Sequence, residues 1–264
     1  MAMTATLRMP GRRVEFRVPR RRLGDFFALS LDILVTMVRK PFAWREFVTQ
    51  CWFVARVTIV PALALSVPLN AFVTYMLNVL LIEIGAGDIA GAAVGLSVVQ
   101  GIGPFASVFV ISGAACTAMC ADLGARTIRE ELDAMRVMGI DPVQSLLVPR
   151  VVAVTLTSFL LSGVTTIAGI AGSYLFTIYV QNGTPGPFAT SLTLLIGLRV
   201  VILVISQTIL FGLVAGLVTC YKGITVSGGP QGVGNAVNET VIYVFMALFV
   251  IDMLTQLIIA KSVF

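Results

Sequence analysis

Long stretches without a charge alternate along this chain with short stretches crowded with them. Residues 57–82 are uncharged, and these 26 residues would reach ~39 Å as an α-helix, enough to cross a bilayer. A second uncharged run covers 89–121. A third covers 151–198, long enough for two crossings, and is broken by the turn cluster Gln181–Pro187. The helix after this break continues to about Tyr221, and a last apolar run covers 240–260, interrupted only by Asp252. The pattern predicts an all-α integral membrane protein with five transmembrane helices.

The segment 23–40 is different. Phe26, Phe27, Leu29, Leu31, Ile33, Leu34, Met37 and Val38 share it with Asp25, Ser30, Asp32, Arg39 and Lys40. It is short for a span, and two aspartates would be costly in hydrocarbon. It reads as an amphipathic helix at the inner surface, with a sixth span as the competing reading. This divides the chain into a cytoplasmic basic tail with an interfacial helix, 1–45, and a five-helix domain, 46–264.

Glycine spacing marks packing faces. Gly87, Gly91 and Gly95 recur every fourth residue, as do Gly212 and Gly216, and small residues at this spacing let helices approach closely. The small-residue run from Ser112 to Ala118 points the same way.

The densest charge lies in Gly124–Pro142. Seven of its 19 residues are charged: Arg126, Arg129, Glu130, Glu131, Asp133, Arg136 and Asp141. On a continuous helix, Ile128, Leu132, Met135 and Met138 or Gly139 form one apolar stripe. Arg126–Glu130 and Arg129–Asp133 fall at i,i+4, and Asp133–Arg136 at i,i+3. Arginine first is the weaker order for helix support, so helix stability alone does not explain the charges. Gly139 can end the helix, and Asp141-Pro142 can begin the next. Two readings remain open from the pattern: a docking helix for a soluble partner, or a solvated helix on the inner surface.

Composition agrees with a membrane protein. Hydrophobic residues make up 58% and charged residues 12%, about half the usual charged share of a soluble domain. Mean hydropathy is +0.98. Eleven of the 18 lysines and arginines precede residue 57. With the N-terminus inside, the loops 122–150 and 222–239 face in with their cations. The loops 83–88 and 180–190 then face out without any, and the C-terminus ends outside. No cleaved signal peptide is read at the basic N-terminus.

The chain has no histidine, so histidine relays and histidine metal sites are excluded. Cys51, Cys116, Cys120 and Cys220 read as small buried thiols. No phosphate-loop signature is present, and the run Gly228–Gly234 reads as a flexible inner loop. No cofactor is expected, and no nucleic-acid partner. Arg199 and Asp252 are the charges within the spans, each ~13 Å below the outer surface, and they suggest an ion pair or near-pair. An ion-coupled secondary transporter would want more buried acids than this. A membrane enzyme would want a nucleophile with a base.

Residues 103–150 resemble the core of the MlaE/YrbE permease family, membrane subunits of ABC-type lipid transporters that work with MCE-domain proteins. The matching positions are Gly103-Pro104, the small-residue run, Glu131, Asp133-Ala134-Met135, Met138–Pro142 and Val148-Pro149-Arg150. Tyr221-Lys222-Gly223 and Ile251–Thr255 are similar too, and the likeness covers roughly 45–260. The wording of 120–131 and 228–240 looks most like the A-type permease of the actinobacterial Mce-linked branch. Gln100-Gly101-Ile102 stand before Gly103, where Gram-negative members carry an Arg-Glu pair before Gly-Pro. Asn235 and Glu239 also stand where those members have basic residues.

The resemblance implies a non-catalytic permease subunit in the cell membrane, with 124–140 as a coupling helix. Arg129, Glu130, Glu131, Asp133, Met135 and Arg136 would dock a cytoplasmic ABC ATPase dimer. It implies a second, paralogous permease as partner, MCE-domain proteins outside, and a lipid cargo of the fatty-acid, mycolic-acid or sterol class.

Overall fold

The computed structural model describes residues 22–37, 42–181, 185–192 and 194–263. The basic residues of 1–21, Arg39, Lys40 and the turn residues Asn182–Thr184 lie outside the described residues. Helices supply all the regular structure described: α1 (Arg22–Met37), α2 (Trp44–Glu83), α3 (Ala90–Ile128), α4 (Glu131–Val137), α5 (Val143–Tyr179), α6 (Pro185–Ser191), α7 (Leu198–Ile224) and α8 (Gly229–Val263). Five of these, α2, α3, α5, α7 and α8, are long and apolar enough to span a membrane.

The spans extend beyond their uncharged runs. At 40 residues α2 is ~60 Å long, about twice a hydrocarbon core. Its first turns lie at the end of the bundle that carries the charged segment, where Glu46 approaches Arg150. The start of α8 lies there too, with Val233 against Gly124. Gly229 opens that helix, so the glycine-rich run 228–234 is mostly helix and not a flexible loop. Positive φ at Gly228 (89°) and Gly229 (72°) turns the chain sharply before it. Gly232 then fits only because it lacks a Cβ, which would overlap the Ser227 carbonyl.

At the opposite end, α7 begins at Leu198 and not near 190. Gly197 is extended (φ −82°, ψ 156°) and starts it. The intervening α6 folds back onto α3, where Gly91 leaves room for the Phe188 carbonyl and Gly95 for that of Leu192. Gly87 makes no such close approach, and a Cβ there would rest 3.7 Å from Ile82. Gly212 and Gly216 face Thr155, Ser158 and Val151, so α7 lies nearly backbone to backbone on α5.

α2 meets α5 along one ridge with a four-residue period: Val54, Thr58, Ala62, Ser66, Asn70, Thr74 and Asn78 are all buried. Thr74 Oγ1 donates to Ser173 Oγ at 2.8 Å, and Asn78 Nδ2 to Thr177 Oγ1 at 3.2 Å. Asn78 also bonds Gln181. The central apolar cluster joins all five spans through Ala62, Ile111, Cys116, Val154, Phe211, Ala215 and Val244. A second cluster lies at the charged end. There α1 inserts Leu29 and Ile33 against Leu147, Val151 and Leu217, while Phe27, Leu31 and Val35 stay exposed.

α3 carries two π-helical segments, Ser97–Ile102 and Ile111–Cys116, and α5 begins with a third, Val143–Leu147. The small-residue run thus buries only part of itself. Ser112, Ala115 and Cys116 point inward, and Gly113 is exposed. Cys116, Cys120 and Cys220 are buried free thiols, and Cys51 is half-buried.

Candidate functional site

The charged segment is a corner, not one helix. α3 ends at Ile128, and Glu130 takes a left-handed conformation (φ 57°) before α4 starts at Glu131. This corrects the expected continuous helix over 124–142. The break removes the expected Arg126–Glu130 and Arg129–Asp133 pairs. Instead Arg126 Nη1 lies 3.7 Å from Glu131, and Arg129 Nε lies 3.1 Å from the same carboxylate. The Asp133–Arg136 pair forms as spaced, at 2.7 Å.

The corner closes as its sequence directs. Gly139 (φ 77°) donates its N–H to Arg136 O and Ile140 to Met135 O, a Schellman ending. Asp141 Oδ1 then accepts the Val143 N–H at 2.9 Å, capping α5, with Pro142 in the helix-start position.

The expected apolar stripe is also broken. Leu132 is buried, Met135 is half-buried, and Ile128 and Met138 are exposed. The turn at Glu130 rotates α4 relative to α3, so the apolar side chains beyond Leu132 point away from the bundle. Val137 is 89% exposed and Met138 66%, forming an apolar tip. Around it stand Arg129, Glu130, Asp133 and Arg136, all exposed, and Glu131, half-buried.

The root of the corner is held by Arg150, named in the sequence only as a family position, and by Asp122 and Glu46, which the sequence reading passed over. Arg150 of α5 is 1% exposed and donates from Nη2 to Asp122 Oδ2 at 2.5 Å; Glu46 of α2 stands 3.9 Å away. Asp122 also binds Arg126, at 3.2 Å. Ion pairs therefore run from Arg150 through Asp122, Arg126 and Glu131 to Arg129, with Glu46 at the edge of Arg150's reach. Each exposed link is worth at most about 1 kcal/mol. The buried Arg150 link matters more, because breaking it strands a charge. On the other flank, Thr127 Oγ1 donates to Gly223 O at 3.2 Å, and Gly124 packs on Val226 and Val233. Lys222 pairs with Glu239 and lies 4.4 Å from the Tyr243 ring centre.

Within the spans, the structure does not join Arg199 to Asp252. Because α7 starts at Leu198, Arg199 sits in its first turn, exposed, and not ~13 Å deep. Gln207 lies ~14 Å along α7 and takes the place expected of Arg199. Its Nε2 donates to Asp252 Oδ1 at 2.9 Å. The pair borders a small cleft with Pro104, Phe105, Thr208 and Phe211, whose free space of about 10 Å³ holds no more than one water. Beside it Gln100 Nε2 donates to Gln256 Oε1 at 2.7 Å.

The family described as Permease MlaE matches this chain over residues 47–258. The chain belongs to the MlaE permease family. A probable ABC transporter permease protein of Synechocystis sp. is 29% identical over 166 residues, 63% of this chain and 63% of that protein's length. A probable ABC transporter permease protein of Rickettsia typhi is 24% identical over 83% of this chain and 85% of its own. The chloroplast protein Trigalactosyldiacylglycerol 1 of Arabidopsis thaliana is 25% identical over 64% of this chain and 49% of its own. With five helices of spanning length, this MlaE permease is a multi-pass membrane protein, and its relatives agree with a permease subunit.

The missed residues had a signal. Asp122 and Arg150 are the charges that bound the apolar runs on either side of the corner, where helices leave the membrane. Gln207 had none, since a lone glutamine in an apolar run does not stand out.

Proposed function

We propose that this chain is the membrane-spanning permease subunit of an ABC-type lipid transporter, in which the 129–140 corner receives the motion of a cytoplasmic ATPase dimer. One observation carries the reading: a short helix with an exposed apolar tip and exposed charges is braced by ion pairs to the roots of α3 and α5. An apolar tip exposed outside the apolar layer fits a groove on a soluble partner, with Arg129, Glu130, Glu131, Asp133 and Arg136 fixing its register. Met135 is half-buried beside it. This revises the expected arrangement, since Val137 and Met138 join the charges on the partner's side.

The corner lies on the cytoplasmic side in this reading, as its arginines favour. α1 is an interfacial helix at that surface, and the C-terminus lies outside. A second, paralogous permease completes the membrane unit, and MCE-domain proteins receive or deliver cargo outside. The lipid is of the fatty-acid, mycolic-acid or sterol class. The plant relative bears the name of a glycolipid, which supports lipid cargo.

The test is co-purification of the ATPase with the tagged permease. The double variant Glu131→Lys, Asp133→Lys loses the ATPase while still inserting, and Val137→Asp weakens capture about tenfold or more, as expected when an apolar anchor is made charged. Full capture by both variants contradicts the docking site.

A further inference from the structure

Arg150 is almost fully enclosed, yet most of its bonding capacity is unused. A guanidinium offers five donors in a fixed fork. Here Nη2 serves Asp122, and Nε and Nη1 are buried with no hydrogen-bond partner. The apolar neighbours Leu147, Val148 and Val151 would accept leucine or methionine in this place without stranding donors. The arginine therefore needs a reason beyond filling space.

Its two carboxylates supply one, because they sit on different elements. Asp122, on α3, leads through Arg126 and Glu131 to the tip of the corner. Glu46, in the first turn of α2, lies just beyond direct bonding range at 3.9 Å and accepts instead from Gln50 Nε2 at 2.8 Å. In this arrangement Nη2 is bonded to Asp122 and approached by Glu46. Both carboxylates face that one nitrogen, so a small displacement of α3 relative to α2 would draw it from one to the other.

We propose that Arg150 is a positioning residue that holds the charged corner through Asp122 and keeps Glu46 as its alternative partner, so that the corner has two defined seats against the bundle. The inference stands on the chain's own geometry. The ATPase reading enters only in what such a change of seat would transmit.

The test uses the full chain alone, in lipid nanodiscs, with amide hydrogen exchange followed over 119–140 and over the core of α7 as internal reference. Arg150→Gln speeds exchange in the corner about tenfold and leaves the α7 core unchanged, as loss of a buried charge partner releases a local unit. Wild-type rates in that variant overturn the proposal. If Arg150→Gln does not insert, Arg150→Lys decides instead. It keeps the charge and loses the fork, and unchanged exchange overturns the proposal equally.

The alternative seat is tested by a cycle. Glu46→Gln is nearly silent by itself. In an Asp122→Asn background it adds about a fivefold further acceleration, because Arg150 then depends on Glu46. Equal effects in both backgrounds contradict the second seat. None of these results depends on capture of an ATPase, so failure of the docking reading is seen separately.

Discussion

Glu130 is the one non-glycine residue among those described with positive φ, and it marks where the corner bends. That conformation costs about 1–2 kcal/mol for a residue with a Cβ. Glu130→Gly removes the strain but frees the unfolded chain, so its thermal stability in detergent stays within about 1 kcal/mol of wild type. Glu130→Val adds β-branched crowding and destabilises the corner by at least about 1 kcal/mol more. Equal melting of the two variants would show that the bend does not require a left-handed residue there.

Deeper in the bundle, Gln207→Leu leaves the Asp252 carboxylate without its donor, a loss of about 1–3 kcal/mol. Adding Asp252→Leu recovers part of that, because two apolar groups replace one stranded acceptor. A double variant less stable than Gln207→Leu would contradict the pairing. At this scale the sequence was half legible. Asp252 stood out as a charge in an apolar run. Its partner did not, because its depth depends on where α7 begins, and that start is set by Gly197 and the fold-back of α6.

Among the elements, α7 lies against α5 because Gly212 and Gly216 present no side chain there. Gly212→Leu would force its new atoms into Thr155 and Ser158, at a cost of about 1–3 kcal/mol or more. Gly113→Leu meets open space and leaves the isolated chain's stability unchanged. A comparison of melting temperatures decides, and equal loss at both positions would contradict the packing described. The four-residue glycine spacing was readable at 91, 95, 212 and 216.

The α2–α5 contact went unread, although a pattern carried it. In a bilayer the outer faces are apolar, so the polar ridge Thr58, Ser66, Asn70, Thr74, Asn78 marks the interior. What the sequence concealed were the breaks and extensions. The turn at Glu130 has no glycine to announce it. The glycine-rich start of α8 looks like loop, although its tight geometry is what lets it pack beside Ser227.

For the whole molecule, five spans and the family were legible because charge-free length and the 103–150 block survive any local error in helix boundaries. The charged corner is the feature that joins them to a mechanism. The docking proposal requires its tip and its root to lie on the cytoplasmic side of the membrane.

The most direct measurement replaces Cys51, Cys116, Cys120 and Cys220 with alanine, introduces Met138→Cys, and applies a membrane-impermeant maleimide. Met138 is 66% exposed, so its replacement is reachable from whichever side it faces. The account predicts no labelling in intact cells and full labelling after permeabilisation. Labelling of intact cells would place the tip outside, away from any ATPase, and contradict the account.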